Sequence, residues 1–234
     1  MKFSIGRDDT VFILTGAGIS AESGLSTFRD SGGLWDRYRV ENVATPEAFQ
    51  KDPELVWEFY SKRRKELKNV YPNKAHISIA DFQKKHPKTY LVTQNVDNLH
   101  ERAGSTNVIH MHGSLTRIRC TRCNYLEEHL EDIVGIPKCK ECGNILRPDV
   151  VWFGEIPYFL NQIYELLSKT KLFIGIGTSG QVYPAAAFIS IAKNFKAKTV
   201  FLNKEKIYNE DIDVFIEGNA SITVEKFLSD IEIL

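Results

Sequence analysis

The sequence predicts an α/β protein, with a doubly wound, mostly parallel sheet and a smaller second unit. Short apolar runs rich in β-branched and aromatic residues are typical of buried parallel strands, and they occur at residues 11–14, 90–93, 108–111, 172–176 and 199–202. Helical patterns separate several of these runs, which favours a sheet covered on both faces. Residues 25–72 and 118–147 do not follow this alternation, and we expect them to form the smaller unit.

The helices are predicted from apolar spacing and from residues that start helices. Residues 74–85 and 155–169 have apolar side chains three and four positions apart, Pro184 begins a helix over 184–195, and the last helix covers 224–231. A further helix begins at Pro53, with Asp52 as its N-terminal cap.

The composition of the chain indicates which partners and which cellular location to expect. The chain has 234 residues, 43% of them hydrophobic, and 30 basic residues balance 30 acidic ones. This balance gives no indication of a nucleic acid or an acidic membrane as an obligatory partner. The apolar runs are shorter than the roughly 20 residues that cross a bilayer, and the first strand begins almost at once, so we expect a cytoplasmic protein with no leader or membrane span.

Four cysteines form two pairs in the second insertion, Cys120 with Cys123 and Cys139 with Cys142. Two such knuckles can close a tetrahedron of thiolates around Zn²⁺, and with all four positions filled the ion would be structural. A redox dithiol is the alternative, and disulfides are a third reading.

A glycine-rich turn follows the first long apolar run, where residues 15–24 read Thr-Gly-Ala-Gly-Ile-Ser-Ala-Glu-Ser-Gly. Gly16 and Gly18 can adopt backbone angles closed to other residues and have no Cβ to hold a pyrophosphate away, so their amide groups could contact phosphate. The turn therefore predicts a nucleotide site. An ordinary tight turn is the alternative.

Polar residues also follow the next two predicted strands. Gln94, Asn95 and Asp97 come directly after residues 90–93, at the carboxyl edge where α/β sheets bind ligands, although a helix-capping turn would look the same. His110 and His112 lie two apart and should point the same way, with His112 at the strand end, where it could exchange protons near neutral pH.

Taken together, these motifs resemble those of the sirtuins, a family of NAD-dependent protein-lysine deacylases, from the first strand nearly to the C-terminus. The resemblance rests on residues 16–24, Thr27-Phe28-Arg29, Gln94-Asn95-Val96-Asp97, His112-Gly113, the four cysteines, residues 150–155 and Gly177-Thr178-Ser179. It implies a Rossmann-like NAD-binding domain (1–24, 73–117 and 148–234) and a small zinc-containing domain (25–72 and 118–147).

The resemblance also implies site residues. Those around NAD would be Gly16, Ala17, Gly18, Ile19, Ala21, Glu22, Phe28, Arg29, Trp35, Gln94, Asn95, Val96, Asp97, Gly177, Thr178, Ser179, Asn203, Lys204, Glu205 and Ala220. Those around the acyl-lysine would be Ala44, Tyr60, Arg63, Val151, Phe153 and Gly154.

The family's chemistry gives these residues roles. Asp97 would hold the nicotinamide carboxamide, Asn95 would orient a ribose hydroxyl or water, and His112 would act as the general base. The acyl oxygen would attack ribose C1′ as nicotinamide leaves, and His112 would remove a ribose hydroxyl proton. The implied products are free lysine, nicotinamide and O-acyl-ADP-ribose.

The predicted helix from Pro53 bears on the acyl group. At about 100° per residue, Val56, Phe59, Tyr60, Arg63 and Leu67 share one face, whereas Lys62, Arg64 and Lys65 should point to solvent. An inward arginine needs an anion, either a carboxylate of the protein itself or one on a substrate. Sirtuins of class III, which remove malonyl, succinyl and glutaryl groups, have a Tyr-x-x-Arg here, and Ala44 matches their small pocket residue. We therefore expect desuccinylation and demalonylation, with weaker deacetylation.

Other functions stay open at this point. Deacetylation with a broad acyl range and mono-ADP-ribosyl transfer to protein would use the same NAD cleavage. A non-catalytic NAD sensor is disfavoured because Asn95, Asp97 and His112 are all present. A zinc-dependent nucleic-acid binder is disfavoured by the neutral charge.

Overall fold

A computed structural model describes residues 3–25 and 38–234. Its main sheet has six parallel strands in the order β10-β9-β8-β2-β3-β4. The strands are β1 (Phe3–Ile5), β2 (Thr10–Thr15), β3 (Thr89–Thr93), β4 (Val108–His110), β5 (Gly113–Cys120), β6 (Leu126–Glu128), β7 (Leu146–Val150), β8 (Thr170–Ile176), β9 (Lys198–Asn203), β10 (Val214–Glu217) and β11 (Ile231–Ile233).

The α-helices are α1 (Gly18–Ala21), α2 (Val40–Val43), α3 (Pro46–Lys51), α4 (Pro53–Lys68), α5 (Lys74–Lys85), α6 (Leu99–Arg102), α7 (Leu160–Lys169), α8 (Phe188–Asn194) and α9 (Ala220–Ser229), with a 3₁₀ turn at Ala185–Ala187 before α8. None of the described helices is long and apolar enough to cross a membrane.

The main sheet is covered on both faces, as the uninterrupted apolar strands predict. Val11 and Ile13 of β2 pack into a core with α5 and α9, whereas Phe12 and Leu14 pack into a second core with α7 and α8. Successive side chains of a strand point to opposite faces, so an apolar run buries both sides. The predicted doubly wound α/β fold is confirmed.

A third apolar core joins helices α2, α3 and α4 to a second, antiparallel sheet with the order β6-β5-β7. The Trp57 indole of α4 donates to the carbonyl of Leu146 in β7 at 3.0 Å, so the two predicted insertions are in contact. The small sheet begins at Gly113 and ends at Val150, beyond both limits of the predicted insertion. The two-domain division itself stays a prediction.

Several element boundaries differ from prediction. Helix α7 begins at Leu160 rather than at residue 155, because Phe159 has a left-handed φ of 61° and cannot continue a helix. The predicted helix over 184–195 splits into the 3₁₀ turn and α8. Helix α9 covers Ala220–Ser229 instead of 224–231, because Ile231 is in a strand that pairs with Phe3 of β1. The strands β1, β5, β6, β7, β10 and β11 were not predicted.

Candidate active site

A cavity of about 840 Å³ lies at the carboxyl ends of β2, β3, β8, β9 and β10. Its opposite wall is formed by Ala44, by Tyr60 and Arg63 of α4, and by residues that follow β7. Among the described residues, every predicted NAD or acyl-lysine residue except Ile19 lines this cavity. Phe28, Arg29 and Trp35 are outside the described residues, as is Thr27.

Ile19 is the exception because of its place in helix α1. Its side chain is fully buried in the core of the main sheet. At about 100° per residue, it points away from Ala17 and Ala21, two positions to either side, which line the cavity. The side chain of Ile19 therefore does not line the cavity, and a contact between Ile19 and the cofactor stays a prediction.

Glycine is required at positions 16 and 18 for a different physical reason from the one predicted. Neither Gly16 nor Gly18 has a positive φ, and their amides donate to the carbonyls of Ile176 and Gly177 rather than into the cavity. A Cβ on Gly16 would lie 2.9 Å from the Gly177 oxygen, and one on Gly18 would lie 2.8 Å from Gly177 Cα. The two glycines allow the turns after β2 and β8 to pack together, and this contact shapes the cavity floor.

The polar turn after β3 is held by a residue that the sequence analysis missed, Ser20. Its hydroxyl donates to Asp97 Oδ2 at 3.1 Å and accepts from Asn95 Nδ2 at 3.2 Å. Asp97 Oδ1 accepts from the amide of Leu99 in an Asx turn, whereas Asn98, the N-cap residue of α6, makes no side-chain capping bond. Asp97 is buried, which raises the pKa of its carboxyl group, and the hydrogen bonds from Ser20 and Leu99 fix this group at the cavity wall.

His112 has a defined tautomer. Its Nδ1 lies 3.0 Å from the carbonyl oxygen of Gln94, and because a carbonyl only accepts, Nδ1 carries the proton and Nε2 keeps its lone pair. Burial lowers the pKa of His112, which keeps the ring neutral near pH 7. The ring lines the cavity, so its geometry suits a general base.

His110 has a different environment. Its Nδ1 contacts the carbonyl of Asn95 at 3.1 Å and its Nε2 contacts Glu101 at 2.6 Å. Burial acts to lower the pKa of His110, but the hydrogen bond and charge of Glu101 raise it overall. Of the two histidines, His112 is the one that lines the cavity.

The far end of the cavity is closed by the start of α9. Both carboxylate oxygens of Glu22 accept from Ser221, one from its amide at 2.9 Å and the other from its hydroxyl. Gln94 Nε2 donates to Thr178 Oγ1 at 2.8 Å, which joins the turns after β3 and β8. Glu22 therefore fixes the first turn of α9 beside Ala220, at the end where the resemblance puts adenosine.

At the other wall, Tyr60 and Arg63 lie side by side on α4, as their spacing predicts. Tyr60 is 1% exposed, and the guanidinium carbon of Arg63 lies 5.8 Å from its ring centre. Burial lowers the pKa of Arg63, and this effect is partly offset by the interaction with Tyr60 and by the charges of Asp97 and Glu66. Asp52 caps the helix, with its carboxylate accepting from Leu55 N at 2.9 Å, as predicted.

Arg64 corrects the prediction that the other cations of α4 point to solvent. It is 6% exposed, and its guanidinium donates to the carbonyls of Leu115, His129 and Glu131. The long side chain reaches across to the small sheet, where these carbonyls need donors. Lys62 and Lys65 are exposed, as predicted.

The four cysteine sulfurs form a candidate metal centre, since all of them lie within 4.8 Å of one another. Cys120 Sγ is 3.4 Å from Cys142 Sγ, and Cys123 Sγ is 3.5 Å from Cys139 Sγ. Zn–S bonds of about 2.3 Å would separate the sulfurs of a tetrahedron by roughly 3.8 Å, so a small adjustment fits the ion. The soft, all-sulfur donor set fits structural zinc.

Comparison with known proteins finds a match to a protein family. The sequence model of the Sir2 family matches residues 16–184. A relative from Leishmania major, the NAD-dependent protein deacylase SIR2rp3, is 49% identical over 230 residues, which cover 94% of this chain and 95% of the relative.

Solved structures agree with this match. A Sir2 homolog–NAD complex is 41% identical with a TM-score of 0.88, and the match covers 95% of this chain and 90% of that one. A Sir2–p53 peptide–NAD⁺ complex is 30% identical with a TM-score of 0.83, covering 94% and 92%.

Proposed function

The chain belongs to the Sir2 family, and from this premise we propose that it is an NAD-dependent protein-lysine deacylase that removes succinyl and malonyl groups, and acetyl groups more weakly. The name of the Leishmania relative supports NAD-dependent deacylation, and the NAD and peptide complexes of the solved relatives support NAD and a protein or peptide as the two substrates.

In this proposal, NAD lies in the cavity, against the wall formed by the carboxyl ends of the parallel strands. The buried Asp97 carboxyl, fixed by Ser20 and Leu99, receives the nicotinamide amide. His112 accepts a ribose hydroxyl proton at Nε2, because its Nδ1 is committed to Gln94. The cysteine site holds zinc, which ties β5 to the residues before β7 and takes no part in the reaction.

The acyl preference depends on one observation: Tyr60 and Arg63 line the same cavity as His112. A carboxylate at the tip of a succinyl or malonyl chain could accept hydrogen bonds from both side chains. An acetyl group ends in a methyl and gains nothing from either donor. Ala44, 3% exposed at the same wall, has a side chain small enough to leave room for the longer chain.

The test is to measure kcat/KM on one peptide carrying acetyl, malonyl or succinyl lysine, for the wild type, Arg63→Met and Lys65→Met. A hydrogen bond to a charged group contributes about 1.5–3 kcal/mol, so Arg63→Met should lower succinyl kcat/KM roughly 10- to 100-fold and acetyl kcat/KM much less. Lys65→Met removes an exposed cation of the same helix and should leave both values near wild type.

An equal loss of both activities in Arg63→Met would refute the acyl assignment and leave a deacylase of general acyl range. Product masses decide the reaction itself. Loss of the acyl group from lysine with nicotinamide release supports deacylation, whereas a gain of ADP-ribose by the protein would support mono-ADP-ribosyl transfer instead.

A further inference from the structure

We propose that Trp152 is a specificity residue for acyl chains that end in a carboxylate, because its indole N–H orients the Tyr60 hydroxyl so that the phenol donates its proton into the cavity. This inference rests on the proposed deacylase function and deepens it. Trp152 was not among the residues predicted from the sequence, although it lies in the segment 150–155 that carries part of the family resemblance.

The contact that carries the proposal is a buried hydrogen bond. Trp152 Nε1 lies 2.9 Å from the Tyr60 hydroxyl oxygen, and the two residues are 3% and 1% exposed. An indole N–H can only donate, so the Tyr60 oxygen must accept. The single phenolic proton is therefore left for a different partner.

Arg63, the neighbour of Tyr60, limits which group can accept the phenolic proton. Arg63 is beside the ring, and a guanidinium has donors but no acceptor, so it cannot take the phenolic proton. A carboxylate can accept from Arg63 and Tyr60 together, whereas an acetyl methyl can accept from neither. Burial also raises the pKa of Tyr60, so the phenol stays a neutral donor and does not repel an anion.

The indole is itself held in place. The guanidinium carbon of Arg147 lies 3.3 Å from the centre of the Trp152 ring. The guanidinium of Arg147 donates two hydrogen bonds to the Glu155 carboxylate, at 2.6 and 2.9 Å. This carboxylate also accepts a hydrogen bond from the backbone amide of Trp152 at 2.8 Å. Phe49 packs against the indole, with ring centres 5.3 Å apart. The direction of the N–H is therefore set before any substrate binds.

The experiment compares Trp152→Phe, Tyr60→Phe and the double variant, with kcat and KM measured for succinyl-lysine, acetyl-lysine and the neutral butyryl-lysine. Trp57→Phe is the matched control, because it also removes a buried indole N–H, which donates to Leu146 at 3.0 Å, but Trp57 does not line the cavity.

Trp152→Phe should lower the ratio of succinyl to acetyl kcat/KM about five- to tenfold, mainly through KM, and should leave the ratio of butyryl to acetyl within about twofold. Trp57→Phe should leave both ratios within about twofold of wild type. The double variant should have the same succinyl-to-acetyl ratio as Tyr60→Phe, because the indole acts through the phenol.

Two results would overturn the proposal: equal losses for all three acyl groups in Trp152→Phe, which indicates a packing role, or independent, multiplicative losses in the double variant. If Trp152→Phe does not fold, the benzothienylalanine analogue, which keeps the bicyclic ring and lacks the N–H, decides between the same outcomes. If Arg63→Met lowers succinyl activity selectively and Trp152→Phe does not, this inference fails alone. If Arg63→Met is not selective either, the acyl assignment itself fails.

Discussion

Replacement of Arg64 by Met should destabilise the protein strongly, although arginine at an apparently exposed helix position is usually replaceable. The Arg64 guanidinium donates to the carbonyls of Leu115, His129 and Glu131, the last at 3.0 Å. These contacts join α4, which carries Tyr60 and Arg63, to β5 and to the chain after β6.

The size of the effect follows from these three contacts. Each hydrogen bond from a charged donor contributes about 1.5–3 kcal/mol, and its loss leaves a carbonyl without that donor. Part of the loss is offset, because Met does not have to desolvate a charge, and burial of this charge is what lowers the pKa of Arg64. A net loss of about 3 kcal/mol would lower Tm by roughly 6–12 °C in a chain of this size.

Thermal unfolding followed by circular dichroism measures the change in Tm of Arg64→Met. The control is Lys65→Met, which replaces an exposed cation next to Arg64 on the same helix. The control should stay within about 2 °C of wild type. If Arg64→Met unfolds at the same temperature as Lys65→Met, the guanidinium contributes no more than a solvent-exposed cation. The reasoning from the three carbonyls would then be refuted.

Two further predictions concern the base and the metal. A general base must be neutral, and burial lowers the pKa of His112 from its ordinary value, so the loss of deacylation kcat/KM at acid pH should be centred below the usual histidine pKa of about 6.5. A loss centred above pH 6.5 would contradict this role. Atomic emission should find one zinc per chain, and Cys139→Ser should lose it with a drop in Tm of several degrees. Unchanged stability without zinc would show that the ion is not structural.

The sequence predicts the central strands and α5 well because local and tertiary requirements agree there. Residues 74–85 have an apolar face, and Asn73 caps the helix by accepting the Ala75 amide, so the predicted bounds equal those of α5. At residue 155 the local pattern and the tertiary contacts disagree. Glu155 is committed to Arg147, and the chain turns through Phe159 before α7 begins, which depends on contacts that apolar spacing does not contain.

Much of the cavity lining could be assigned because the carboxyl ends of parallel strands meet at one edge, so polar residues after separate strands come together. The supporting contacts could not be assigned in the same way. Ser20 looks like a helix residue in the sequence, and its link to Asp97 spans 77 positions. Trp152 looks like a core residue, and its donation to Tyr60 spans 92.

Arg63 and Arg64 show the limit of reasoning from helical spacing. The period identifies one apolar face of α4 and puts Arg63 on it, where the side chain reaches the cavity. It also puts Arg64 about 100° away from Arg63, a direction that predicts an arginine exposed to solvent. That interpretation fails because α4 is flanked on two sides, by the cavity and by the small sheet, and a long cationic side chain can follow the surface to carbonyls that need a donor. Adjacent arginines with the same local sequence environment therefore have different roles. Arg64 holds α4 in place, and in the proposed function Arg63 binds the substrate from the same helix.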